Sequence, residues 1–206
     1  MKRRAFLVLA GAPVSAAFAA DAVPQLLQDV RERLTTEPVV RGSFEQRKTV
    51  KGFRHPLVST GDFVVSRQRG VLWRTLAPFA STLVVTSDRV LARQADGSVT
   101  RRLSANDEPA VRALSETLLA VMAADLSVLA QRFRIEGDLV GRDAWRLQLT
   151  ARDPAMARWV QRVELEGDRF LRTVRLSEGS GDVTQIRLAG HATGRTLTPD
   201  EETQFE

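Results

Sequence analysis

Chemistry at a protein surface begins with groups that can hold a proton, a metal or an electron pair, and this sequence offers few of them. It has two histidines, His55 and His191, far apart in the chain and without a neighbouring carboxylate pattern. Two isolated imidazoles make a weak metal site and a weak general base. There is no cysteine, hence no thiol nucleophile, no Cys-ligated zinc and no lipid-modified Cys anchor. No G-x-S-x-G elbow, H-E-x-x-H pair or phosphate loop occurs, and Gly179-Ser180-Gly181 sits in a hairpin turn. Glu164 and Glu166 share one side of a strand whose other side carries Trp159, Val163 and Leu165, which makes the carboxylates its solvent side. The chain is therefore expected to be no enzyme and to need no cofactor or metal. A lipid hydrolase and a cavity-free periplasmic sensor or adaptor domain are the competing readings.

The formal charge of +5 includes Lys2, Arg3 and Arg4, so the chain beyond them stands near +2. All but three of the basic residues of the full sequence are arginine, and acids are interleaved along most of its length. That describes a mixed solvated surface and argues against a nucleic-acid partner. The same three residues form the positive start of an export signal. Ala5 to Ala12 is its short apolar run, and Ala17-Phe18-Ala19 supplies the small residues for cleavage. We expect residues 1–19 to be a signal peptide and 20–206 a single domain, a freely diffusing monomer of the periplasm.

Asp21 caps a first helix with Pro24 in its opening turn, and Leu27, Val30, Arg31 and Leu34 recur at helical spacing until Pro38. The period then falls to 2. Strands are predicted at 39–48, 59–67, 71–76, 82–86, 89–94 and 98–103. Asp107-Glu108-Pro109 starts a second helix with Val111, Leu114, Leu118 and Met122 along one face, widened by Leu119, Leu126 and Leu129. Strands resume at 132–140, 143–151, 159–166, 169–177 and 182–190, and the segment from Thr193 is polar enough to read as an irregular tail. About eleven strands joined by hairpin-length turns imply a mainly β (α+β) antiparallel sheet that must curl, with the helices covering its concave face.

Alternation puts Phe63, Val65 and Arg67 on one side of their strand and Val64 and Ser66 on the other. Phe44 pairs with Gln46 in this sense, Trp145 with Leu147 and Leu149, and Trp159 with Gln161, Val163 and Leu165. Such a lining either packs solid or leaves an apolar hollow, and periodicity alone does not choose. Val71 and Phe79 are candidates for an exposed docking patch at its mouth, or for the interior.

Gly61-Asp62-Phe63-Val64-Val65-Ser66-Arg67, then Val71-Leu72-Trp73 and Pro78, resembles the outer-membrane lipoprotein carrier protein family (LolA and LolA-like proteins). Phe44-Glu45-Gln46-Arg47-Lys48 resembles that family's F-x-Q-K strand. The resemblance implies a strongly curved, unclosed barrel of eleven strands with a helical lid. It implies a periplasmic chaperone that binds acyl chains of lipoproteins in a hydrophobic cavity and carries them from an inner-membrane donor complex to an outer-membrane acceptor. It also gives Arg67 the part of a latch that holds the lid shut. Phe44, Phe63, Val65, Trp73, Leu114, Leu118 and Met122 are the residues expected to line the ligand site. Gln68-Arg69-Gly70 and Ser87-Asp88-Arg89 depart from the family pattern, and the Pro56-Leu57 element is similar to a divergent branch found beside aryl-polyene and glycolipid synthesis genes. A different lipid on the same fold is thus the alternative cargo.

Overall fold

The computed structural model describes residues 22–104, 116–117, 119–123 and 125–206. The signal segment, Asp21, Val111, Leu114 and Leu118 lie outside the described residues. The chain opens with helix α1 (Ala22–Arg33), whose Val30 is fully buried with Leu27 and Leu34 packed beside it. Six strands follow: β1 (Val39–Thr49), β2 (Leu57–Ser66), β3 (Gly70–Ala77), β4 (Ser81–Val85), β5 (Arg89–Gln94) and β6 (Val99–Ser104). Helix α2 (Leu126–Arg132), capped by the Asp125 carboxylate, leads into β7 (Phe133–Val140) and β8 (Ala144–Ala151). Helix α3 (Pro154–Ala157), β9 (Arg162–Gly167), β10 (Leu171–Ser177), β11 (Val183–Gly194) and helix α4 (Pro199–Gln204) complete the chain.

The strands form one antiparallel sheet in the order β6-β5-β4-β3-β2-β1-β11-β10-β9-β8-β7. The two halves meet in the middle, where β1 pairs with both β2 and β11. Strands β6 and β7 are the two edges, so the barrel is unclosed and the connection between them, which carries α2, must pass from one edge to the other. Register shifts at Arg41/Ser43 and at Thr60/Gly61 bend the central strands, as bulges do.

Both faces of the sheet are covered. On the concave face Phe44, Phe63, Trp145, Leu147 and Leu165 bury against Val30, Leu126 and Leu129 of the helices. On the convex face Val39, Val64, Leu72, Val84 and Leu91 bury against Phe205. This second layer corrects the reading of an irregular tail. The strand runs on to Gly194, and the chain then folds into α4 through a capping box in which the Thr198 hydroxyl accepts from the Glu201 N–H while the Glu201 carboxylate accepts from the Thr198 N–H. Arg41 donates to both Glu201 oxygens at 2.6 and 2.5 Å, and Arg89 donates to the carbonyls of Phe205 and Glu206.

Two further expectations change. The strand read from Trp159 begins only at Arg162, because Asp153 caps α3 through the Ala155 N–H and Pro154 starts it, so Trp159 is left in solvent. Val71 belongs to the concave core and cannot contribute to a surface patch, whereas Phe79 is exposed.

Candidate functional site

The concave face is organised by an aromatic row. Phe63 and Trp73 are direct cross-strand partners, and Phe44 stacks on Trp73 with ring centroids 3.8 Å apart. Backbone without side chains makes the room. A Cβ at Gly42 would stand 2.7 Å from the Phe63 ring, and Gly61 lies directly across from Phe44 in the sheet. The Asp beside Gly61 points to the other face, where Asp62 accepts from the Arg74 guanidinium at 2.5 Å. Each residue of the Gly61-Asp62-Phe63 run thus has a separate structural duty.

On one side of this row a small hollow is enclosed by Leu34, Val40, Val65, Met122 and Leu188, with Arg67, Arg169 and His191 at its polar rim. Its volume is about 40 Å³. That admits water and no acyl chain. Arg67 donates to the carbonyl of Thr35 at 2.8 Å and, more weakly, to that of Glu37 at 3.3 Å. It ties the end of β2 to the link between α1 and β1. His191 stacks on Phe170 with centroids 4.7 Å apart, and its Nδ1 lies 2.9 Å from the Arg172 guanidinium. Burial, reinforced by the Arg172 charge, pushes the imidazole below its ordinary value. Burial works to raise the Asp168 carboxyl, but hydrogen bonds from Arg172 and the Phe170 N–H outweigh it and hold the group low. Both ring contacts and charges are therefore satisfied locally, with no nucleophile beside the imidazole.

On the other side of the aromatic row the concave face opens. Trp73, Leu83 and Ala92 stand opposite one another on three successive strands. They form the apolar wall of a groove of about 990 Å³ that is otherwise bordered by Pro78 and Phe79 and by the polar Thr75, Ser81, Arg93, Gln94 and Asp96. The volume lies at the upper end for a small-molecule site. Ala92 is the small member of the row and leaves the space its neighbours would fill.

The sequence-derived site residues thus divide. Phe44, Phe63, Val65 and Met122 are buried in the packed core, Trp73 is half-buried and reaches the groove, and Arg67 rims the small hollow. Leu83 and Ala92 were missed. The signal for Leu83 was its alternation with Val85 across Val84, but nothing marked Ala92 except its small size. Glu166 and Glu164 pair across strands with Arg146 at 2.8 Å and Arg175 at 3.7 Å, as a solvated face would have it. Among the described residues no group of three or more His, Cys, Asp or Glu is arranged to hold a metal, and no helix is long and apolar enough to cross a membrane.

Fold and site together define an unclosed antiparallel barrel whose concave face, among the described residues, is packed against helices along β7 to β11, β1 and β2 and grooved along β3 to β5. The chain belongs to the outer membrane lipoprotein carrier protein LolA-like family, whose model matches residues 12–204. Among solved structures it is similar to a DUF1329 family protein from Desulfovibrio piger, at 11% identity over 90% of this chain and 96% of that one, with a TM-score of 0.51. It is also similar to a LolA superfamily protein from Nitrosomonas europaea, at 10% identity over 86% and 95% of the two chains and a TM-score of 0.44. A third is MucB in its complex with MucA from Pseudomonas aeruginosa, at 19% identity over 92% of this chain and 61% of that one, with a TM-score of 0.43. The likeness is one of fold, and the Desulfovibrio piger structure carries it. No curated protein matches the sequence.

Proposed function

We propose that the protein is a periplasmic carrier that takes up acyl chains of lipoproteins or related lipids in the groove under β3, β4 and β5 and moves them from the inner to the outer membrane. Residues 1–19 act as a cleaved export signal in this reading, and 20–206 form one monomeric carrier domain. The observation that carries it is the row Trp73, Leu83 and Ala92, an apolar wall beside about 990 Å³ of open space. Burying an acyl chain there gains about 0.8 kcal/mol per methylene, enough for a chain of ordinary length to be held without any polar anchor. Membership of a lipoprotein carrier family supports the same reading. No enzymatic step is assigned, since His191 has Arg172 and two aromatic rings as its neighbours. The test is mass spectrometry of protein purified from its native periplasm. Acylated cargo at near-stoichiometric amounts is expected. Protein that emerges free of lipid, and takes up no fatty acid in saturable fashion, overturns the proposal.

A further inference from the structure

The end of the barrel away from Arg67 exposes large aromatic groups on three neighbouring turns. Phe53 between β1 and β2 is 65% exposed, Phe79 between β3 and β4 is 83%, and Trp159 between α3 and β9 is 77%. Leu57 and Leu76 add exposed aliphatic surface between them. The turns form one continuous rim. β2 pairs with both β1 and β3, so the first two turns adjoin. The β10–β11 turn bridges the rest: a Cβ at Gly181 would lie 3.5 Å from the Lys51 side chain, and one at Gly179 would lie 2.5 Å from the Arg158 carbonyl.

Charge on this rim has one sign where the aromatics are. Residues 50–58, 76–81 and 155–162 hold Lys51, Arg54, Arg158 and Arg162 and no carboxylate, while Asp153 is engaged in capping α3 and Asp96 stands on the β5–β6 turn across the groove from Phe79. Glu178 and Asp182 on the bridging turn face Lys48 at 2.9 and 3.8 Å. Among the described residues, Phe53 and Trp159 border no pocket that would take a partner's side chain, which leaves a surface as the simplest occupant. Trp and Phe interleaved with Lys and Arg is the composition of interfacial anchors, and the basic residues beside Phe53 and Trp159 suit anionic headgroups.

We infer that this rim docks on the surface of an anionic phospholipid bilayer. Pro78 and Phe79 also border the groove, so docking would turn the groove's mouth toward the lipid. That use of the contact rests on the carrier reading, while the docking stands on the rim alone. Trp159 supplies its own reporter, since Trp145 is buried and Trp73 half-buried. The experiment uses protein purified from the periplasm, checked by mass to lack the apolar run Ala5 to Ala12, with vesicles of phosphatidylcholine alone or mixed equally with phosphatidylglycerol. The mixed vesicles should co-sediment the protein and shift tryptophan emission to the blue, and added salt should weaken both effects. Phe53→Ser with Trp159→Ser, and separately Lys51→Glu with Arg54→Glu, should each lower partitioning by about tenfold, with thermal unfolding as in the parent. Neither pair borders the groove, so fatty-acid uptake without vesicles should be unchanged. Failure of the parent to bind mixed vesicles, or equal binding by both double variants, overturns the docking. Vesicle binding by a parent that takes up no fatty acid supports the docking and strikes the carrier reading alone.

Discussion

A methyl group at Gly61 would stand 1.8 Å from the carbonyl oxygen of Arg74 and 2.8 Å from the Phe44 ring. Neither neighbour is free to move, one being sheet backbone and the other stacked on Trp73. Gly61→Ala should therefore cost about 1–3 kcal/mol, read as a lower urea midpoint. Arg67 acts differently, holding carbonyls of the α1–β1 link rather than filling space. If that link must yield for cargo to enter, Arg67→Leu favours the yielded, loaded state. Release of a fluorescent fatty acid should slow by roughly an order of magnitude while unfolding is little changed. Unaltered release in Arg67→Leu would remove the latch. The sequence motif made both residues visible, but it did not say what each touches. Gly61 is explained only by its cross-strand neighbour, and the partners of Arg67 are backbone atoms that carry no sequence signature.

The last helix carries a local pattern stronger than the polarity of its segment. Thr198-Pro199-Asp200-Glu201 holds a capping box and a proline in the first turn, flanked by Leu197 and Phe205 as the large apolar residues of a polar stretch. A second signal lay in β2 to β4, where Phe63-Val64-Val65, Val71-Leu72 and Leu83-Val84-Val85 are apolar on both sides. Strands of that kind are covered on both faces. Phe205→Ala should cost about 3 kcal/mol, seen in urea or thermal unfolding, because it opens a cavity over Val64, Leu72 and Leu91. The Arg41 guanidinium, aided by the Thr198 N–H, holds the Glu201 carboxyl below its ordinary value. A carboxyl lowered in the folded state contributes stability that is present above its unfolded value, about 4.3, and is lost as pH falls through the folded value. Stability measured by urea unfolding across that acid range should fall less steeply in Glu201→Gln than in the parent. The misplaced start of β9 has the opposite origin. The period-2 pattern from Trp159 to Leu165 starts in the turn that closes α3, where the Trp159 and Val160 N–H groups bond back to the Met156 carbonyl, and only its part from Arg162 is strand.

Taken as one body, the molecule is asymmetric in its packing. The half formed by β7 to β11 with β1 and β2 is filled by its own side chains and by the helices; β3 and β4 add Val71 and Val85 to that core, and beyond them, among the described residues, a groove runs along β3 to β5. Eleven antiparallel strands under helices could be read from period and turn spacing. Solid packing in one half and a groove in the other could not, because volume depends on which side chains meet across strands, as Trp73, Leu83 and Ala92 do. The central claim is that this open half holds an acyl chain. Photo-crosslinking with a diazirine-bearing fatty acid tests it most directly, with the labelled peptides located by mass spectrometry. Labels should fall on residues 71–85 and 89–94 and be competed away by unlabelled fatty acid. Labels that scatter over the convex face, or that excess unlabelled fatty acid does not displace, would contradict the account.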